Sequence, residues 1–294
     1  MDPRLPAGRH LDLPGRGRTW VREVPGPPGA PTLLLLHGWT ANADLNWFSS
    51  FRALGDHFRV VAPDHRGHGR GIRTRRGFRM RDAADDAAAL LDALGIESAI
   101  AVGYSMGGAV AQLLWRRHPE RVDGLVLCAT SSVFASTDRE RRWFAAMGAL
   151  SLASRATPGV ARQAVAGWVL DRRQQSPAVE WVQRELRRND WTAVLGAGAA
   201  LGRFDSRPWL GEVDVPTAVV LTRGDRVVSP RRQAAMAAAI PGASVHPVDG
   251  DHGVVAVEPG RFVPALTRAA REVAGRAEAA GRPAASSRIS TIAT

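Results

Sequence analysis

The pentapeptide Gly103-Tyr104-Ser105-Met106-Gly107 sets a serine between two glycines, directly after the apolar run Ser98 to Val102 and directly before a helical pattern. A serine on a sharp strand-to-helix turn is lifted clear of the sheet, and the helix N-terminus beneath it favours developing negative charge. Such a serine can act as a nucleophile. The flanking glycines have a mechanical purpose, because a side chain at either would collide with the neighbouring strand or helix in so tight a turn. A hydroxyl attacks weakly near neutral pH unless a base takes its proton. His252, in Gly250-Asp251-His252-Gly253 after the last strand-like run, is placed to reach back over a sheet edge. The other histidines fit worse. His10, His57, His118 and His246 lie in the N-terminal region, at a helix end or in a strand, whereas His37, His65 and His68 belong to glycine-containing loops.

A third group must hold the imidazole. Asp225, in Arg223-Gly224-Asp225-Arg226, follows the apolar run Ala218 to Leu221, so its carboxylate falls at the same edge and can fix the tautomer and stabilise the imidazolium. The plainer reading of Asp225 is a turn or helix-capping aspartate ahead of Pro230. Asp251 is a poorer second, since a residue adjacent to His252 on a turn rarely faces its ring nitrogen. The chain order Ser105, Asp225, His252 is the one expected of this serine turn on an open α/β sheet, and differs from the orders of other serine hydrolase folds. An oxyanion also needs two backbone N–H donors. Met106 supplies the first, and the loop His37-Gly38-Trp39-Thr40 supplies the second from Trp39, with Gly38 allowing close approach and His37 bracing the loop. Asp64-His65-Arg66-Gly67-His68-Gly69 reads as a tight turn tied by internal hydrogen bonds. A metal site at Asp64, His65 and His68 is a weak alternative, because their spacing lacks a helix or a cysteine partner.

Positioning these groups takes a parallel sheet. Leu33 to Leu36, Arg59 to Ala62, Ile100 to Val102, Leu125 to Cys128, Ala218 to Leu221 and Ser244 to Val248 read as strands, most of them continuous apolar runs buried on both faces. Helical patterns over Asp82 to Leu94, Gly107 to Arg117, Pro230 to Ile240 and Pro259 to Ala274 alternate with them, giving an α/β chain. Leu11 to Leu13 and Thr19 to Val24 suggest a leading antiparallel hairpin within residues 1–30. The core then occupies 31–130 and 211–275. Between them, residues 131–210 break the alternation with helical segments carrying Trp143, Phe144, Trp168, Trp181, Trp191 and Trp209, and read as a helical cap over the C-terminal strand ends. The tryptophans are expected mainly to pack the cap on the sheet, with some lining a pocket. Residues 276–294, aperiodic and rich in Ala, Arg, Gly and Ser, are expected to be a disordered tail.

Taken together, His37-Gly38, Asp64 with Arg66-Gly67-His68-Gly69, Gly103-Tyr104-Ser105-Met106-Gly107-Gly108, Asp225 and His252 resemble the α/β-hydrolase superfamily, over roughly Leu33 to Ala274. The resemblance implies the α/β-hydrolase fold, with Ser105, Asp225 and His252 as the catalytic triad and Trp39 and Met106 N–H as the oxyanion hole. Serine at 105 separates the chain from the resembling haloalkane dehalogenases and epoxide hydrolases, whose nucleophile is aspartate. A carboxylic ester or lactone is the implied substrate, and no cofactor is called for. A cofactor-free perhydrolase or an acyltransferase on the same triad is the alternative, and a non-catalytic binding protein is a third reading that the complete triad disfavours.

Composition bounds the partners. The chain has 294 residues, a net charge of +11 and a sequence pI near 11.4, yet contains no lysine, so all its basic residues apart from histidine are arginine, as a GC-rich genome encodes. The arginines are scattered and do not form one stripe with interleaved aromatics, which argues against a nucleic-acid partner. Arg139, Arg141, Arg142, Arg172, Arg173, Arg184, Arg187 and Arg188 accompany cap aromatics, and weak peripheral contact with anionic lipid is one reading of them, solvated helix faces the other. Cys128, the single cysteine, lies in an apolar run and reads as a buried strand thiol. No apolar segment near the start suits a signal peptide, so the cytoplasm is the expected location. Oligomeric state is left open.

Overall fold

The structure, a computed structural model, describes residues 3–155 and 177–282. Its centre is an eight-stranded sheet of β1 (Gly8–Leu13), β2 (Gly17–Val24), β3 (Thr32–Leu36), β4 (Arg59–Pro63), β5 (Ala99–Tyr104), β6 (Val122–Cys128), β7 (Thr217–Thr222) and β8 (Ser244–Val248), in the order β1-β2-β4-β3-β5-β6-β7-β8. From β4 to β8 every neighbouring pair is parallel, while β1 and β2 form the expected hairpin and β2 adds antiparallel to β4. Side-chain alternation divides the apolar strands between two cores. Leu34, Leu36, Val61, Ala101, Leu125 and Leu127 pack under α3 (Met80–Ala93), α4 (Met106–Arg117) and α8 (Pro230–Ala239). Leu33, Leu35, Val60, Ile100, Val102 and Val126 pack under α1 (Ala43–Trp47), α2 (Phe51–Gly55), α9 (Val254–Val257) and α10 (Pro259–Ala279). All residues of β3 and β5 are buried, as strands covered on both faces must be.

The chain runs from β3 outward to β4 and then returns to place β5 on the other side of β3. Open α/β sheets bind ligands at such a reversal, because the loops leaving two adjacent strands diverge there and leave a crevice. Leu36 pairs with Gly103, so the residues that follow each, the His37 loop and Ser105, emerge side by side.

Two sequence expectations change. Helix α10 continues to Ala279, so 276–279 are helical and not part of a disordered tail. The reason is burial: Phe262, Ala265, Leu266, Ala269, Ala270, Val273 and Ala277 recur at helical spacing and cover the sheet, and Ala277 lies beyond the point where the sequence pattern weakens. Residues 283–294 of the expected tail lie outside the described residues. The hairpin also starts earlier than Leu11, at Gly8.

Between β6 and β7 the described residues form α5 (Asp138–Arg155), α6 (Pro177–Leu186) and α7 (Trp191–Gly202). A bridge between Val133 and Asp205 closes the base of this insertion. Ser151 Oγ donates to the Thr192 carbonyl at 2.8 Å, joining α5 to α7. Of its aromatics, Trp181 is buried edge-on against Phe48 and Trp209 stacks on Trp115, whereas Trp143 is half exposed beside Trp39. Trp168, Arg172 and Arg173 lie outside the described residues. Arg141 and Arg188 are ion-paired to Asp138 and Glu185. Cys128 is buried on β6, where burial pushes its thiol up. Among the described residues no helix is long and apolar enough to cross a membrane.

Candidate active site

Ser105 joins β5 to α4 with φ +53° and ψ −116°, a backbone conformation that costs a non-glycine residue on the order of 1–3 kcal/mol. Three hydrogen bonds hold it there. The Ser105 N–H donates to the Cys128 carbonyl at 2.9 Å, and its own carbonyl accepts from Thr130 Oγ1 at 2.7 Å and from the Gly108 N–H at 2.9 Å. The flanking glycines are required by contact. A Cβ on Gly107 would lie 2.0 Å from the Leu36 carbonyl oxygen, and one on Gly103 would lie 2.3 Å from that of Gly107, so α4 can start this close to the sheet only without them.

The loop after β8 brings His252 to Ser105. His252 Nε2 lies 3.0 Å from Ser105 Oγ, and His252 Nδ1 lies 2.8 Å from Asp225 Oδ2. The Asp225 side chain is fully buried and the His252 side chain is 21% exposed. Asp225 Oδ1 accepts from the Val227 and Val228 N–H groups, each at 2.8 Å, and Oδ2 accepts from Thr222 Oγ1 at 2.8 Å. Burial pushes this carboxyl up, but the hydrogen bonds from His252, Val228 and Thr222 outweigh it and hold the group below the usual carboxylate range. An ionised Asp225 accepts from Nδ1–H, which leaves the Nε2 lone pair facing the serine hydroxyl. Tyr104 Oη donates to the His252 carbonyl and fixes the loop from below. Asp251 is turned away: it binds the Arg226 guanidinium and the His252 backbone N–H, not the ring.

The loop after β3 lies against the serine, with a Cβ on Gly38 only 3.5 Å from Ser105 Cβ. The Gly38 N–H is occupied, donating to Asn46 Oδ1 at 2.9 Å. His37 Nε2 accepts from the His65 N–H at 2.8 Å, so the ring proton sits on Nδ1 and is donated to the Gly38 carbonyl at 2.8 Å. The Gly38–Trp39 peptide is trans, so holding its carbonyl on the histidine side directs the Trp39 N–H to the opposite side. Met106 is the first residue of α4, where an N–H has no partner within the helix.

Asp64 ties the neighbouring turn down, accepting from the Ala43 N–H at 2.9 Å and the Arg70 N–H at 2.7 Å. His37, His65 and His68 lie together, ring centroids 4.3 and 5.4 Å from His37. Among the described residues no group of three or more His, Cys, Asp or Glu is placed to hold a metal ion. Burial lowers all three histidines, to about 3 for His65, about 4 for His68 and well below the ordinary value for His37, whereas burial raises Asp64 to about 6. The signs oppose. Near pH 5 the unfolded chain protonates three histidines that the folded chain keeps neutral, and the folded chain protonates a carboxyl that the unfolded chain leaves ionised. The balance is about two protons taken up on unfolding, or about 3 kcal/mol of stability lost for each pH unit of acidification. The urea midpoint should therefore fall steeply from pH 6.5 towards pH 4.5; a midpoint that is flat over that range would show that these histidines are not buried and neutral.

Sequence reasoning missed the supporting contacts of Asn46, Thr130, Gln233 and Asn189, which belong to no local motif and which only the fold brings to the sheet edge, and the reach of the Tyr104 hydroxyl from the serine turn to the His252 carbonyl.

Residues 31–259 match the family model described as alpha/beta hydrolase fold. A protein of Agrobacterium fabrum named for carbamate hydrolysis, RutD, is 31% identical over 241 residues, covering 79% of this chain and 90% of its own. The bifunctional esterase/perhydrolase DCH of Acinetobacter calcoaceticus is 40% identical over 95 residues, 32% of this chain and 34% of its own. A thermophilic esterase from Thermogutta terrifontis superposes with a TM-score of 0.71 at 26% identity, covering 91% of this chain and 99% of its own. With the family match spanning most of its length, and the sheet order and serine turn described above, this chain belongs to the α/β-hydrolase fold family.

Proposed function

We propose that this protein is a serine esterase that cleaves a small or medium carboxylic ester or lactone through an acyl-enzyme on Ser105. The observation that carries the proposal is the relay of Ser105 Oγ, His252 Nε2 at 3.0 Å, and His252 Nδ1 to Asp225 Oδ2 at 2.8 Å, standing at the sheet's reversal point. His252 accepts the hydroxyl proton as Oγ attacks the carbonyl carbon, and Asp225 stabilises the imidazolium. The carbonyl oxygen, now negative, accepts from the Trp39 and Met106 N–H groups. His252 then returns the proton to the leaving alkoxide, the alcohol departs, and water attacks the acyl carbon with His252 again as base, releasing the acid and restoring the hydroxyl. The insertion serves as a cap that walls the acyl or alcohol side. Two of the relatives' names include esterase, and the third denotes hydrolysis at the related carbamate carbonyl. Likeness to the esterase/perhydrolase favours a second acceptor, hydrogen peroxide, which would intercept the same acyl-enzyme and release a peracid.

A fluorophosphonate probe should label the native chain at Ser105 and should not label Ser105→Ala or heat-treated protein. A panel of p-nitrophenyl esters of graded acyl length, with lactones and peracid detection beside it, measures the pocket and the acceptor. A native chain that stays unlabelled and turns over none of the panel would sink the proposal.

A further inference from the structure

Thr40, next to Trp39, has φ +65°, a left-handed conformation that a β-branched residue holds only under restraint. The restraint comes from the insertion. Asn189, buried in the turn between α6 and α7, donates from Nδ2 to the Thr40 carbonyl at 2.7 Å and accepts at Oδ1 from the Gly69 N–H at 2.7 Å. Because one bond is donated and the other accepted, a single amide orientation satisfies both. The adjacent Asp190 N–H donates to the Gly67 carbonyl at 2.9 Å, which plugs the same turn into the loop after β4. Trp39 is held from the same quarter: its indole Nε1–H donates to the Val194 carbonyl of α7 at 2.7 Å, and the ring lies so close to α7 that a Cβ on Gly198 would come within 2.6 Å of it. The segment Gly38 to Thr40, which bears the Trp39 N–H, is thus held from the core by His37 and Asn46, and from the insertion by Asn189 and Val194.

We infer that Asn189 is a positioning residue for the Trp39 oxyanion donor, so that the insertion sets the geometry of the reaction as well as the shape of the pocket. This rests on the serine mechanism proposed above. Without its bond to Asn189, Thr40 relaxes towards negative φ and turns the loop that presents the Trp39 N–H. That donor is used fully only when the carbonyl oxygen becomes an oxyanion, so the loss falls on the transition state and spares ground-state binding.

The test uses Asn189→Asp and Asn189→Ala in the full chain. At pH 8 both should lower kcat roughly 10- to 100-fold, the scale of an ångström-sized misplacement, and slow phosphonylation of Ser105 by the fluorophosphonate in proportion. KM should move by less than about threefold, because uniform binding is untouched. The pH dependence separates positioning from packing. An ionised carboxylate at 189 accepts from Gly69 but has no proton for the Thr40 carbonyl, whereas the protonated acid restores both bonds. The ratio of variant to wild-type kcat should therefore rise as pH falls for Asn189→Asp and stay flat for Asn189→Ala; the ratio cancels the acid loss that both proteins share. Glu185, Asp190 and Asp64 around this turn raise the introduced group's proton affinity, and Arg70, Arg73 and Arg188 lower it. Asn189→Ala decides the matter if the buried carboxylate prevents folding. A folded Asn189→Ala with wild-type kcat, a loss confined to KM, or a flat ratio in a folded Asn189→Asp each overturns the inference. A wild type that neither reacts with the probe nor turns over an ester overturns the serine mechanism and this inference with it, whereas a reactive wild type matched by Asn189→Ala overturns this inference alone.

Discussion

Ser105→Ala is expected to lower kcat on the ester panel by on the order of 10⁶-fold while leaving KM and the melting temperature close to wild type. In the proposed mechanism the hydroxyl oxygen bonds to the substrate and no neighbour substitutes for it; what survives is the acceleration due to binding and to the two N–H donors, on the order of 10³–10⁴ over water. Stability is spared because the strained turn is held by backbone and by Thr130, none of which involves Oγ. Single-turnover assays with a p-nitrophenyl ester measure the effect. Retention of even a hundredth of wild-type kcat would mean that another group carries the attack.

Asp225→Asn should cost about 10⁴-fold in kcat, and the structure says why the amide cannot adapt. Oδ1 is fixed as an acceptor by the Val227 and Val228 N–H groups, so the new NH₂ must take the place of Oδ2. There it meets His252 Nδ1, and also the Thr222 hydroxyl, which donates to Oδ2 at 2.8 Å and would face a second donor. The imidazole can accept from the amide only by moving its proton to Nε2, and a protonated Nε2 cannot take the hydroxyl proton of Ser105. The pH profile of kcat/KM and the rate of fluorophosphonate labelling both report this tautomer. A variant slowed less than about tenfold would show that Asp225 is only the turn-capping aspartate that its backbone contacts also allow.

The depth to which the sequence is legible follows from how local each signal is. The strands β3, β5 and β6 are apolar runs because both of their faces are covered, and the glycines around Ser105 are forced by contacts under 2.5 Å with backbone immediately beside the turn. The residues proposed as nucleophile, base, orienting acid and N–H donors stand at strand ends, so an α/β alternation read from the chain locates them all near one edge. Helix α10 is misjudged by a turn because its last buried contact, Ala277, is a small residue set between Arg276 and Glu278 in a stretch of Ala, Gly and charged residues. The short helices α1, α2 and α9 escape notice for a related reason: four or five residues are too few to establish a period.

By itself, then, the sequence determined the sheet, the strand-to-helix turn and which residues are candidates to react, since each depends on neighbours a few positions away or on the order of elements along the chain. Only the tertiary structure decided which way those residues face and what holds them there. The tautomer of His37 depends on the His65 backbone, the rejection of Asp251 depends on its capture by Arg226, and the Thr40 carbonyl is bound by Asn189, 149 residues further on. A hydrogen bond is short-ranged and directional, so its partner is chosen by where the fold brings two groups and not by how far apart they lie in sequence.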